Sequence, residues 1–76
     1  MRDLIEYIAR SLVTQPDQVT VTEVDDNGVL VYQLQVAPED MGKVIGRQGR
    51  LARALRTIVR AGGVAAGRRL ALEIVD

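Results

Sequence analysis

Residues 38–51 read Pro-Glu-Asp-Met-Gly-Lys-Val-Ile-Gly-Arg-Gln-Gly-Arg-Leu, and they contain the most informative local signals of the chain. A proline followed by two acids is typical of a helix start, because proline presets φ and the acids complement the helix dipole. A short helix is therefore predicted over residues 39–45. Gly46 ends it, a four-residue turn runs to Gly49, and a second helix begins near Arg50.

The second helix is predicted over residues 50–61. One arc of it is apolar and must face a core, while arginines occupy another arc and must face outward together. The apolar arc consists of Leu51, Ala54, Leu55, Ile58 and Val59, and the basic arc of Arg50, Arg53, Arg56 and Arg60. Gly62-Gly63 is predicted to end the helix, and residues 64–67 to form a small flexible loop.

Upstream, a helix is predicted over residues 3–14, because Leu4, Ile5, Ile8 and Leu12 recur at helical spacing. Strands are predicted over residues 19–25 and 29–37. Asn27-Gly28 joins them and favours a tight hairpin, since both residues accept positive φ. Downstream, alternation over residues 69–75 predicts a third strand.

The resulting order, α-β-β-α-α-β, predicts a two-layer α+β domain with a three-stranded mixed sheet covered on one face by three helices. The first strand pair is a hairpin and therefore antiparallel, whereas a helical connection between strands two and three suits a parallel pair. Residues 1–76 are expected to form one domain. A chain this short buries only about 60% of its unfolded surface, so a homodimer or heterodimer is a reasonable expectation.

The composition narrows the function classes. The chain has no cysteine and no histidine, which excludes disulfides, His/Cys zinc sites and imidazole catalysis. Ser11 is the only serine, and no base is visible near it in sequence. The chain is therefore expected not to be an enzyme and to need no cofactor or metal. No apolar run approaches the roughly 20 residues of a membrane span, and early acids break any signal-peptide pattern, so a cytoplasmic location is expected.

Charge is divided unevenly along the chain although the net charge is zero. Residues 1–40 carry two basic and eight acidic side chains, whereas residues 41–69 carry eight basic ones and no acid. Such asymmetry indicates a local anion-binding face. A basic, merely solvated helix face remains the alternative, although solvated faces usually mix both signs.

The Gly-x-x-Gly spacing of residues 46–49 indicates a function only together with the residues around it. With seven glycines in the chain, random placement alone gives about 0.6 Gly-x-x-Gly pairs. Here, however, the turn precedes a helix whose free N–H groups point into it, and arginines surround it, which favours a phosphodiester backbone as ligand. The alternative is that Gly46 only caps a helix and Gly49 only permits the turn. P-loop and dinucleotide-binding patterns are absent.

Residues 44–51, Val-Ile-Gly-Arg-Gln-Gly-Arg-Leu, are similar to the KH-domain signature Val-Ile-Gly-x-x-Gly-x-Ile/Leu. The element order resembles the type II KH fold. Together with residues 3–8, 36–46 and 55–59, the whole chain resembles the KhpA family of small bacterial KH-domain RNA-binding proteins. It departs from that family in having Arg where Lys is frequent and in the small-residue loop 61–67, which leaves open what that loop contributes to the groove.

The resemblance implies broad binding of cellular RNA, as an RNA chaperone or post-transcriptional regulator. It also implies a larger KH-containing partner of the KhpB (Jag-like) type, and an influence on cell elongation and cell-wall homeostasis. A KH domain clamps about four nucleotides with its Gly-x-x-Gly loop. The predicted RNA-binding residues are Lys43, Ile45, Gly46, Arg47, Gln48, Gly49, Arg50 and Arg53. Ile45 and Leu51 would lie near the bases, or would be plain core residues.

The aromatic content bears on other modes of RNA binding. Tyr7 and Tyr32 are the only aromatic residues, too few for the stacking platform of an RRM or OB-fold. Tyr32 is expected in the core and Tyr7 at an exposed position, where a protein partner could contact it. A KH-shaped protein-interaction module with secondary or no RNA binding is the alternative function, and single-stranded DNA is an alternative ligand.

Overall fold

The structure is a computed structural model that describes residues 1–45 and 49–75, without the side chains of Lys43, Ile45 and Arg50. Its helices and strands, in chain order, are α1 (Arg2–Leu12), β1 (Thr20–Asp26), β2 (Val29–Gln35), α2 (Met41–Ile45), α3 (Arg50–Ala66) and β3 (Leu70–Val75). Short 3₁₀ turns at Pro16–Gln18 and Pro38–Asp40 precede β1 and α2. The predicted order of elements is confirmed.

The sheet has the order β1-β2-β3, with β1 antiparallel and β3 parallel to the central strand β2. The hairpin turns at Asn27 (φ 52°) and Gly28 (φ 87°), as the two positive-φ positions of such a turn require. The Gly28 N–H also donates to Asp25 Oδ1 at 3.1 Å. Both the predicted hairpin and the mixed sheet are confirmed.

The core lies on one face of this sheet, where alternate residues of β2 meet the helices. Tyr32 and Leu34 point into it, and both are buried. They pack in one cluster with Ile5 of α1 and with Leu55 and Val59 of α3. Alternation along a strand and an apolar helix stripe thus produce the two-layer α+β arrangement that the sequence predicts.

Helix α1 ends two residues before the predicted limit, and its buried stripe is narrower than predicted. Ile5 and Ala9 are buried, whereas Leu4 and Leu12 are each 45% exposed. Alanine at position 9 leaves no long side chain between the helix and the core. Helix α1 therefore contacts the core mainly through Ile5 and Ala9, whereas Leu4 and Leu12 lie at the edge of the core.

The predicted end of the third helix is wrong, because α3 continues through Gly62-Gly63 to Ala66. A Cβ on Gly63 would lie 2.5 Å from the Arg68 carbonyl oxygen and 3.2 Å from the Leu70 nitrogen. Gly63 therefore permits close packing against the approach to β3 and does not break the helix. Residues 64–66 of the predicted flexible loop are consequently the last turn of α3.

The helix stops instead at Gly67, which has φ 66°. The Gly67 N–H donates to the Val64 carbonyl at 3.2 Å, and the Arg68 N–H donates to the Gly63 carbonyl at 2.8 Å. This bond pair is the Schellman motif, which satisfies carbonyls at a helix end and favours glycine at the left-handed position. The stop signal was therefore present in the sequence, but four residues further on.

Candidate nucleic-acid interface

The predicted clamp loop falls partly outside the described residues, which exclude Gly46, Arg47 and Gln48. The backbone on either side is described: α2 ends at Ile45, and α3 begins at Arg50. Gly49 has φ 69°, and a Cβ placed there would meet nothing within 4 Å. The constraint on Gly49 is therefore its left-handed backbone, which glycine adopts without strain, and not a lack of space.

A buried carboxylate fixes the segment that leads into this loop. The Asp40 side chain is fully buried. Its Oδ1 accepts from the Thr14 backbone N–H at 3.0 Å and the Thr14 hydroxyl at 2.8 Å, and its Oδ2 accepts from the Gln15 N–H at 3.1 Å. Three donors replace the water that the carboxylate loses on burial, which is the condition for burying such a group.

These contacts join the chain after α1 to the start of α2, and we call them the Asp40 node. Outside the core, the Gln15 side-chain amide donates to Glu39 Oε2 at 2.8 Å and adds an exposed contact between the same two segments. The sequence predicted both acids only as helix-start charges. Nothing local could have revealed the role of Asp40, because its partners lie 25 and 26 residues away.

The exposed side of α3 carries Arg53, Arg56 and Arg60, which we call the arginine stripe. At 100° per residue these three positions fall within about 60° of one another, and they extend for about 10 Å along the helix. Among the described residues, Arg56 and Arg60 make no ion pair. The outward arginine arc is thus confirmed for the arginines whose side chains are described.

The apolar arc of α3 is rotated from its predicted position. Leu55 and Val59 are buried as predicted, and Leu51 is partly buried against the core. Ala54 and Ile58 are exposed, however, and Ala52 is buried in their place. Because Ala52 lies beside the arginine stripe, the stripe borders the packed face of the helix, while Ile58 lies at the edge of that face and is 37% exposed.

In the described part of the chain, no acid forms an ion pair with Arg56 or Arg60. Glu6 lies 2.6 Å from Arg10 and 3.9 Å from Arg2 within α1. Asp25 of the acidic region lies 3.7 Å from Arg68 of the basic region, and both side chains are about half exposed or more. Arg56 and Arg60 of the stripe therefore present their positive charge to solvent.

The model of the KhpA/KhpB KH domain matches residues 2–74. The chain belongs to the KhpA/KhpB KH-domain family. The resemblance predicted from the Gly-x-x-Gly signature and the element order is thereby confirmed.

KhpA relatives match nearly the whole chain. "RNA-binding protein KhpA" of Clostridium acetobutylicum is 51% identical over 75 residues, which cover 99% of this chain and all of the relative. The protein of the same name from Treponema pallidum is 55% identical over 97% of this chain and 92% of the relative. That from Halalkalibacterium halodurans is 51% identical over the full length of both. No solved structure gives a significant match.

These KhpA relatives are named for RNA binding and not for a reaction, in agreement with the expectation that the chain is not an enzyme. The described part of the chain groups no His, Cys, Asp or Glu side chains that could hold a metal ion. In residues 1–45 and 49–75, no helix has the length and apolar character needed to cross a membrane.

Proposed function

We propose that this chain binds short single-stranded RNA through the loop Gly46-Arg47-Gln48-Gly49 and the adjoining groove, with residues 1–76 acting as one KH domain. The arginine stripe carries the proposal, because it starts one turn after the loop and its Arg56 and Arg60 face solvent without an ion pair among the described residues. The names of the KhpA relatives point to the same ligand.

In this proposal the loop holds the backbone of about four nucleotides, as KH domains do. The first N–H groups of α3 have no partners within the helix and are directed at phosphate oxygens. Arg47 and Gln48 face phosphates, and the neighbouring cations add charge. Those cations are Lys43, Arg50 and Arg53. Ile45 and the partly buried Leu51 supply an apolar surface for bases.

The Asp40 node supports such a clamp physically. It anchors the start of α2 to residues 14–15, and Val44 in the middle of α2 is fully buried. The entry to the loop is thus held before a ligand arrives. A site that is ordered in advance loses less conformational freedom on binding, which favours affinity.

The test compares wild type with Arg47→Asp/Gln48→Asp for binding to labelled single-stranded RNA at two salt concentrations. We expect the loop variant to bind roughly tenfold more weakly or worse, and wild-type affinity to fall with salt, because phosphate contacts release counterions. Arg10→Asp/Gln18→Asp is the matched control, since it makes the same substitutions at exposed positions outside α2 and α3. Circular dichroism checks that all three proteins fold.

Equal binding by wild type and the loop variant would overturn the clamp assignment, as would the absence of binding by wild type. A single-stranded DNA of the same sequence, measured in parallel, tests whether RNA is preferred. Preference for RNA requires recognition of the 2′-hydroxyl.

We further propose that the chain works as a homodimer or with a larger KH-containing partner of the KhpB (Jag-like) type. In this role it would be a broad RNA chaperone or post-transcriptional regulator in the cytoplasm, affecting cell elongation and cell-wall homeostasis. Exposed apolar side chains support a protein partner: Tyr7 is 71% and Ile58 37% exposed. The same residues favour the alternative, a protein-interaction module with secondary or no RNA binding.

Light scattering of wild type and Ile58→Glu separates these possibilities. Loss of a dimer in the variant, with RNA binding by the wild-type chain, supports a dimeric RNA-binding protein. A wild-type chain that dimerises through Ile58 but binds no RNA supports the interaction module. A monomeric wild-type chain that binds RNA leaves a heterologous partner as the only version of the partner proposal.

A further inference from the structure

A second basic site lies at the opposite end of α3 from the clamp loop. It is a cleft of about 450 Å³. Three arginines surround it, Arg60, Arg68 and Arg69, and its apolar lining comes mainly from Val29, Val64 and Leu70. Among the residues that the structure describes, no acidic side chain lines this cleft.

The cleft follows from the way α3 meets the sheet. Gly63 lets the last turns of the helix approach the backbone of Arg68 and Leu70. Gly67 then reverses the chain, and the Leu30 N–H donates to the Arg69 carbonyl at 3.0 Å. The three arginines thus come from two segments whose backbones are fixed by hydrogen bonds and close packing.

The charge of the cleft is largely uncompensated. Arg60 and Arg69 make no ion pair with any described residue, and only Arg68 has a partner, the half-exposed Asp25 at 3.7 Å. An exposed pair at this distance contributes little and leaves the cation available. The negative end of the α3 dipole offsets part of the positive charge of the cleft. The Gly63 and Val64 carbonyls at that end, however, already accept the two Schellman hydrogen bonds.

Arg60 belongs both to the cleft and to the arginine stripe. From Gly49 to Arg60 the helix advances about 16 Å, at 1.5 Å per residue. A strand held by the clamp loop and following Arg53 and Arg56 therefore reaches the cleft without leaving the basic surface. An apolar lining with cationic walls suits a nucleotide, which combines an apolar base face with an anionic phosphate.

We propose that this cleft is a second contact for the same RNA strand and takes a nucleotide beyond those held by the clamp loop. The base lies against Val64 and Leu70, and the phosphate is bound by Arg60 and Arg69. The RNA footprint is then longer than the four nucleotides of the clamp. This inference rests on the proposed function, since the loop must hold one end of the strand.

The experiment uses oligouridylates of four and twelve nucleotides and the variant Arg69→Gln/Val64→Ser. These two side chains lie in the cleft and in neither the loop nor the stripe. We expect the variant to bind the twelve-mer about fivefold more weakly, with a salt slope smaller by about 0.7 for the lost phosphate contact. Four-mer affinity should change less than twofold, because the loop is further away than a Debye length of about 8 Å.

Arg10→Gln/Val24→Ser is the matched control, because it removes the same two types of exposed side chain from α1 and β1. It should bind both RNAs as wild type does. Comparison at fixed RNA length is essential, since a twelve-mer offers a four-nucleotide clamp more registers than a four-mer.

Equal twelve-mer affinity of the cleft variant and the control would overturn the second contact while leaving the clamp intact. Failure of the proposed function has a different signature: neither RNA binds wild type, or Arg47→Asp/Gln48→Asp binds both as well as wild type. In that case the second contact is overturned together with the clamp.

Discussion

The first forty residues and residues 41–69 use their charges in opposite ways. In the first region Asp40 is buried on three hydrogen bonds, and Glu6 contacts two arginines of its own helix. In the second region Arg56 and Arg60 face solvent and have no ionic partner among the described residues. The charges of Asp40 and Glu6 therefore stabilise the fold, whereas the charges of Arg56 and Arg60 remain available to a ligand.

The strongest test of this contrast is Asp40→Ala. We expect the free energy of unfolding to fall by about 2–4 kcal/mol, because buried donors of Thr14 and Gln15 lose their acceptor. Urea unfolding measures this free energy. The exposed variant Glu39→Gln is the control, and its free energy of unfolding should stay within about 0.5 kcal/mol of wild type. An Asp40→Ala protein as stable as the control would remove the distinction between the two regions.

Thr14→Val keeps that test informative if Asp40→Ala does not fold. It removes only the hydroxyl that donates to Oδ1 and leaves both backbone donors in place. The expected loss is about 1 kcal/mol, the usual contribution of one hydrogen bond. No loss would mean that the hydroxyl contact does not stabilise the fold.

Gly63→Ala tests a residue of the basic region that contributes to packing of the fold and not to ligand binding. The new Cβ would lie 2.5 Å from a backbone oxygen, so we expect a loss of about 1–3 kcal/mol. Gly42→Ala in α2 is the matched control, because nothing lies within 4 Å of its Cβ position. It should be neutral or stabilising by up to about 1 kcal/mol. Equal thermal midpoints would contradict the close approach of α3 to β3.

Arg56→Gln and Glu6→Gln compare the two kinds of charge directly. Arg56→Gln should change the unfolding free energy by less than about 0.5 kcal/mol, because Arg56 makes no ion pair with a described residue. Glu6→Gln should cost about 0.5 kcal/mol in low salt and less in high salt, because its contacts with Arg2 and Arg10 are screened surface pairs. The contrast fails if Arg56→Gln is the more destabilising of the two.

The smallest expected effect concerns the pKa of Tyr32, which Glu23 of the first region and Arg68 of the second region shift in opposite directions. Burial raises the pKa of the Tyr32 hydroxyl above 10.0, Glu23 on β1 raises it further, and Arg68 opposes the shift. The unfolded chain therefore loses this proton first. Stability from neutral Tyr32 is complete below pH 10.0 and is lost as the pH rises through the folded-state pKa.

Tyr7→Phe makes this titration visible, because it leaves Tyr32 as the only tyrosine. Phenolate absorbance should appear above pH 10.0 in the folded chain and at a lower pH in urea. Adding Glu23→Gln should lower the folded midpoint. The reverse order of the folded and unfolded midpoints would contradict the burial of Tyr32.

Local signals predicted much of the fold. Asn27-Gly28 fixed the hairpin, alternation placed Tyr32 inside, and helical spacing placed Arg56 and Arg60 outside. The errors came from tertiary contacts. Gly63 was mistaken for a helix stop because its neighbour is the carbonyl of Arg68, across the Gly67 reversal.

In the candidate site, too, features that depend on tertiary contacts could not be predicted from the sequence. The role of Asp40 depends on residues 14–15, which are too distant in sequence for any pattern to reveal. The cleft likewise combines β2, the end of α3 and the approach to β3. The assignments to Gly46, Arg47 and Gln48 concern residues outside the described part of the chain and stay predictions.

The parallel pairing of β2 with β3 also governs how a newly made chain reaches its structure. The hairpin joins neighbouring residues and can close in about 1–10 μs, whereas Leu30 must wait for Leu70. At about 5–20 residues per second, roughly 2–7 s separate the synthesis of β2 from that of β3. Throughout that interval Leu34 and the rest of the core face have no third strand, so the nascent chain exposes apolar surface to chaperones and aggregation until residues 70–75 emerge.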